Sequence, residues 1–469
     1  MSEQELELPK GWSSCKIDDV CKIIRGITFP KTAKTTEKLN DHIPCLRTTN
    51  VQESTDWKNL IYIPSKYVKD ESKLVKISDI LISNSNSLDL VGKVSYVDQI
   101  IKNSTFGGFI TIIRSHSCDS KYLFYQLRSS QIKNYFRGIA STTTNISNIS
   151  TSKIADTEIF IPPLNEQKRI VAKIEELFSL VNSAKDTLEK TKILLKQYRQ
   201  SILKHAFEGR LTEEWRKGHS ISNSRCRWDL KDDTIENDNL PNIPSNWCWR
   251  KLEEISNGVV VSFVGTVSNY FVDKDVGIPF LRSQNVRKGK IDLKNLKFVN
   301  KSFHDREKKS QLKPNNLLIV RVGANRGDSC IVPSSLSIAN SGNIIIAKIF
   351  EDIAPLLNYY FQSQFCQKQL LAMTTGSAQG VINTKSVAQT LIPIPSIEEQ
   401  KQIISLIEES FSLIDKNEKI VDELLLQCNQ IKNSILKHAF EGKLVPQDPN
   451  DESAEILLQR IREEKKHGK

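Results

Sequence analysis

The nine residues SILKHAFEG occur at 201–209 and again, unchanged, at 434–442. Each copy holds a histidine and a glutamate three residues apart, His205 with Glu208 and His438 with Glu441. On a helix that spacing puts both side chains on one face, where they could ligate a metal ion or share proton-transfer work. Carboxylate-bridged bundles use the reverse order, Glu-x-x-His, together with further carboxylates, and those are missing here. The structural reading is the stronger one. Lysine and histidine in a last helical turn complement the negative end of the helix dipole. Phe207 and Phe440 then dock where each helix stops, and Gly209 and Gly442 let the chain turn.

Other catalytic patterns are absent from the sequence. There is no GxxxxGK[ST] phosphate loop, no NPPY- or DPPY-type tetrapeptide, and no HExxH, EF-hand or GxSxG motif. The seven histidines are scattered singly. No catalytic residue, no metal and no cofactor is therefore expected on this chain. Nine cysteines without a CxxC pair fit reduced thiols better than a disulfide framework or zinc ribbon. The start, MSEQELELPKGW, does not read as a signal peptide, and no apolar run approaches the length of a membrane span. A cytoplasmic protein away from membranes is expected.

The repeated nonamer must be positioned by larger elements, and these are repeated too. At a shift of 233, IPPLNEQKRIV (161–171) lies on IPSIEEQKQII (394–404). At 235, IPCLRTTNV (43–51) lies on IPFLRSQNV (278–286), and LPKGW (8–12) resembles IPSNW (243–247). Each half is thus a long variable segment followed by a helical one. Apolar positions in the first helical stretch, from Ile170 and Ile174 through Leu177, Leu195, Tyr198 and Ile202, step alternately by four and three, the seam of a coiled coil. Ile403, Ile407, Ile414, Val421, Leu424, Ile431 and Ile435 repeat it. Ser396 and Glu399 have capping-box spacing. Each helix should run about 41 residues, roughly 60 Å, and needs a partner, most simply the other one. An antiparallel pair would relate the halves by an approximate two-fold axis.

The expected organisation is a variable domain at 1–160, a long helix at 161–210 and a polar linker at 211–240. A second variable domain follows at 241–393, then a long helix at 394–443 and a tail with a short helix at 444–469. Short β-rich runs such as VSYVDQII, FITIIR, NLLIVRV and NIIIAKIF, with helices at SKYLFYQLRSSQIKNYF and APLLNYYFQSQFCQKQLL, make each variable segment a mixed α/β domain. The class is α+β: two such domains separated by two long helices in an antiparallel coiled coil, a pseudo-two-fold tandem repeat.

Charge divides unevenly. Residues 241–393 carry 19 basic and 10 acidic side chains, and residues 1–160 carry 21 and 17. Such a localised excess favours a polyanion. If the domains bind double-stranded DNA, residues shared by the halves suit phosphates or a structural turn, and divergent ones suit bases. Arg47 with Arg282 and Asn50 with Asn285, in RTTN and RSQN, are the shared candidates, and Thr48 and Gln284 are further candidates within the same tetrapeptides. Asn84 and Asn86, Thr143 and Asn145, and Arg321, Asn325, Arg326 and Gln379 are the divergent ones, with donors for guanine or adenine edges. Lys308 lies in a basic run from Lys297 to Lys313 that is interleaved with Phe298 and Phe303.

IPPLNEQKRIVAKIEEL with IPSIEEQKQIISLIEES, SILKHAFEGRL with SILKHAFEGKL, and the tail LVPQDPNDESAEILLQRI together resemble the specificity subunits of type I restriction–modification systems. The resemblance spans essentially the whole chain. It implies two target recognition domains, each reading half of a split DNA target, with the coiled coil as a ruler between the half-sites. It also implies a bacterial or archaeal host and two modification subunits carrying S-adenosylmethionine and the methyltransferase site. Two restriction subunits would add ATP- and Mg-dependent translocation and cleavage. His205, Phe207, His438 and Phe440 are the expected partner-subunit contacts, because both nonamers would meet the same surface. A stand-alone methyltransferase or nuclease, and a coiled-coil scaffold that does not read DNA, are the alternatives.

Overall fold

The computed structural model describes residues 8–143, 146–219, 240–372 and 380–467. It forms two compact units, Met1–Leu188 with Glu423–Lys469, and Glu189–Asp422. Two helices of 44 residues each, α1 (Leu164–Phe207) and α2 (Ile397–Phe440), contribute to both.

Both helices begin with the same buried device. Gln167 Nε2 donates to the Pro162 carbonyl at 2.9 Å, and Gln400 Nε2 to that of Pro395 at 3.0 Å. Glu166 accepts from the Trp12 indole at 3.0 Å, and Glu399 from the Trp247 indole at 2.9 Å. The repeated Glu-Gln and the repeated LPKGW/IPSNW are therefore parts of one joint between helix and domain. The expected capping box is only half present. Ser396 Oγ accepts from Glu399 N at 3.3 Å, but the Glu399 carboxylate is engaged by Thr212, Arg216, Asn246 and Trp247 instead. Burying that carboxylate at 0 % exposure requires several donors, and they outcompete one backbone amide. The segment expected as a polar linker thus supplies two anchors, Thr212 and Arg216, around a short helix at Glu213–Gly218. Residues 220–239 of that linker lie outside the described residues.

The helix ends match as well. Gly209 (φ +74°) and Gly442 (φ +69°) adopt left-handed backbone. The Arg210 amide donates to the His205 carbonyl and the Lys443 amide to that of His438, at 2.9 and 2.8 Å, the Schellman pattern. A Cβ on either glycine would lie 2.3 or 2.4 Å from Cγ of Pro244 or Pro9.

The helices pair antiparallel. In the second unit Lys192 meets Asp422 at 2.6 Å, and Arg199 meets Asp415. Seven residues forward on α1 correspond to seven back on α2. Ile407, Ile414, Val421, Cys428 and Ile435 are buried at heptad spacing. In the first unit the Lys432 ammonium sits 5.5 Å over the Phe178 ring. Tyr198, Leu424 and Ile431, expected in the seam, are exposed. A 3.6-residue helix drifts by about 20° per heptad against a strict seven-residue pattern, so a seam extrapolated over 44 residues leaves the contact line.

Each unit contains a four-stranded antiparallel sheet. The first orders Cys21–Arg25, Ile110–Ser115, Ile80–Ser83 and Val94–Tyr96; the second orders Ser256–Val261, Ile344–Ile349, Asn316–Val320 and Ser329–Ile331. Both faces are covered, which explains why ILIS and NLLIV are buried without alternation. On one face Ile80, Ile82 and Ile113 join the core shared with the helices; on the other Leu81, Ile110 and Ile112 pack under a smaller sheet. The expected run VSYVDQII is a strand only over Val94–Tyr96, because its partner strand begins at Ile80, opposite Tyr96. The helices expected after each sheet are Ser120–Arg128 with Ser130–Ile139, and Ala354–Tyr360 with Gln364–Ala372. The tail helix α3 (Ala454–His467) seats Ala454, Leu458 and Ile461 in the first unit's core. No helix among the described residues is long and apolar enough to cross a membrane.

Candidate nucleic-acid interface

The nonamer side chains divide by direction. His205 and His438 are exposed. Phe207 and Phe440 are buried, with ring centroids 4.9 Å from Tyr360 and 5.5 Å from Tyr122. An aromatic side chain at a helix end buries most of its area in the adjoining core when that core offers another ring. Glu208 pairs with Arg210 at 3.3 Å, and Glu441 with Lys443 at 2.9 Å, so each carboxylate is held by a cation beside it. Each nonamer also lines a cavity, of about 370 Å³ in the second unit and about 350 Å³ in the first. Ser201, Lys204 and Glu208 recur there as Ser434, Lys437 and Glu441.

Of the DNA candidates, Asn50 and Asn285 are buried and structural. Asn50 Oδ1 accepts from Arg47 N at 2.8 Å while Nδ2 donates to the carbonyls of Asp56 and Lys58. Asn285 makes the same bonds with Arg282, Asp292 and Lys294. The guanidinium groups of Arg47 and Arg282 donate to the Asn59 and Asn295 carbonyls, each at 3.0 Å. The shared Arg-x-x-Asn is therefore a turn clasp, which corrects the two asparagines as DNA contacts. Asn84 is also internal, donating to Thr111 Oγ1 at 3.2 Å. Its counterpart Arg321 is half-buried, and both carbonyls accept an amide, from Ile149 and Ile382 respectively.

Asn86 is half-buried in a small sheet with Ser147. Thr143 is exposed at a hairpin tip, and Thr48 is half-buried. Arg326 donates to the Gly380 carbonyl. Gln284, Lys308 and Asn325 are exposed. Asn145 and Gln379 lie outside the described residues.

Four loops converge at one face of each unit. In the second unit a cleft of about 550 Å³ is lined by residues 263–265 and Val267, the Arg282–Gln284 turn, residues 322–325 and Gly342–Asn343. It brings together three expected residues, Arg282, Gln284 and Asn325. Parallel bridges hold this face: Phe263 with Gly342 here, and Ile27 with Gly107 in the first unit. Gly342 N donates to the Leu281 carbonyl at 2.9 Å, and Gly107 N to that of Leu46 at 3.0 Å. One frame thus carries two sets of loop side chains.

Residues 9–192 and 244–426 each match the family model of the type I restriction modification DNA specificity domain. The chain belongs to this family. It is 27% identical over 476 residues to the type I restriction enzyme EcoKI specificity subunit of Escherichia coli strain K12, covering 98% of this chain and 96% of that one. It is 26% identical over 490 residues to the StySPI specificity subunit of Salmonella potsdam, with the same two coverages. A solved chain from work on complex assembly and conformational transition of the type I R-M system superposes with a TM-score of 0.68 at 17% identity, covering 93% of this chain and 99% of that chain. The chain thus shares its fold with a component of a type I R-M system and its sequence with named specificity subunits.

In this specificity subunit, sequence reasoning missed two residues of the four-loop face. Phe109 is 68% exposed, although FITIIR reads as a strand entering the core. Asn343 is exposed with φ +56°. The available signal was the Gly107-Gly108 pair, which marks a break before the strand.

Proposed function

We propose that this chain is the DNA-reading subunit of a type I restriction–modification complex, with each unit reading one half of a bipartite duplex target through its four-loop face. The antiparallel coil sets the gap between the half-sites. The observation that carries this reading is the shared frame with divergent tips. The Arg-x-x-Asn clasp and the glycine bridge repeat, while the outward residues change from Thr49 to Gln284 and from Phe109 to Asn343. That is the arrangement needed when two similar modules read different sequences.

Two modification subunits bring S-adenosylmethionine, and restriction subunits bring ATP and Mg. Apolar side chains left exposed on the coil suit such partners: Leu180 and Leu426 in the first unit, Ile193, Leu194 and Leu413 in the second. His205 and His438 lie beside the duplicated cavities and suit the same role. The complex works on DNA in a bacterial or archaeal cytoplasm.

Exchanging residues 1–160 for the corresponding segment of a family member with a different target tests the reading. Methylome sequencing should show one half-site changed and the other retained. Change in both halves, or in neither, would refute it.

A further inference from the structure

The two faces differ in length at one station. Gly26 N donates to the Ile110 carbonyl, and Ser262 N to that of Ile344. Ser83 pairs with Ile110, and Val320 with Ile344. The two isoleucines are therefore equivalent, and the bridge glycines are Gly107 and Gly342. Between glycine and isoleucine the first unit has two residues, Gly108 and Phe109, where the second has only Asn343. The added residue lifts a phenyl ring out of the strand.

Phe109 is not held by its own core, yet its backbone is fixed. Its carbonyl accepts from Asn84 N at 3.1 Å, and the neighbouring Gly108 lies against Ile27 O and Thr28 Oγ1. With the backbone fixed, only the side-chain torsions of Phe109 remain to be ordered when a ligand binds. In a major groove, the apolar group that a phenyl ring can recognise is the 5-methyl of thymine.

We propose that Phe109 is a specificity-determining residue of the first unit, packing against the 5-methyl group of one thymine in its half-site, and that Asn343 holds the equivalent station in the second. This rests on the reading of the four-loop faces as DNA-binding surfaces. An asparagine at that station has the paired donor and acceptor that match an adenine edge, so the two stations would favour different bases.

The test uses the full chain with its modification partner, on the duplex target defined by methylome sequencing. Each thymine of the first half-site is replaced in turn by deoxyuridine, which lacks only the methyl group. Wild-type binding should weaken about fourfold at one position, the loss of roughly one buried methyl. Phe109→Ala should bind thymine and deoxyuridine there equally, while its preference at the second half-site and its thermal unfolding stay unchanged. Phe109→Leu should keep most of the discrimination. Indifference of the wild type to every replacement, a first half-site without thymine, or undiminished discrimination in Phe109→Ala overturns the proposal. Absence of any sequence preference in the wild-type complex is a different result, and overturns the DNA-reading function as well.

Discussion

The buried carboxylate at the start of each long helix shows how one residue type acquires two environments. Glu399 receives a guanidinium from Arg216, whose side chain is 14% exposed. At the position 233 residues on from Arg216 stands Pro449, and among the described residues Glu166 accepts from the Trp12 indole without such a cation in direct contact. Burial raises the Glu166 pKa above its ordinary 4.5, with the Trp12 bond and the Arg169 charge pulling back and Asp451 adding to the rise. Arg216→Met should therefore cost the second unit roughly 3–5 kcal/mol, because a buried charge loses its partner; denaturant unfolding measures it. For Glu166 the sign is opposite to that of a salt-bridged acid. The folded state holds the proton more tightly than the unfolded one, so its stabilising contribution is complete below pH 4.5 and is lost as pH rises through the folded pKa. Glu166→Gln should match the wild type near pH 4 and gain on it toward pH 7 in thermal melts. A gap that narrows with rising pH would contradict this.

Among the elements, the coil is held by its heptad isoleucines, and the rim ion pairs report its register more than they stabilise it. Lys192 and Asp422 are 38% and 54% exposed, so solvent screens their pairing and it adds little to stability. Their closeness is the useful property. Cysteines at 192 and 422 should be joined by a thiol crosslinker with a short spacer, whereas cysteines at 192 and 415, two turns away on α2, should not. The nonamer rings behave differently. Phe207→Ala and Phe440→Ala remove buried aromatic volume beside Tyr360 and Tyr122, and each should lower stability by about 3–5 kcal/mol. That loss should appear in the isolated chain, before any partner is added.

For the whole molecule, the proposed ruler makes a quantitative prediction. Removing seven residues in register from α1 and α2 shortens the helices by about 10 Å, close to 3 base pairs at about 3.4 Å each. Methylome sequencing should then find both half-sites unchanged and the gap reduced by about that number. Altered half-site bases with the original gap would sink the ruler.

The duplication, the two long helices and the mixed character of the variable segments were legible because each is a periodicity. Repeats, a 3.5-residue seam and apolar strand runs survive in one dimension. The sequence also separated shared residues from divergent ones, which is where Asn325 came from. It could not say which shared residues face inward. Asn50 and Asn285 look like ligands of DNA until their amides are seen closing a turn on carbonyls six to nine residues away. The burial of Phe207 and Phe440 shows only once Tyr360 and Tyr122 are seen beside them. Phe109 looks like core until the extra residue after Gly107 turns it outward. Pattern along a chain is fixed by local geometry, whereas the direction of a single side chain is set by what residues far away in sequence leave exposed, and only the tertiary structure decides that.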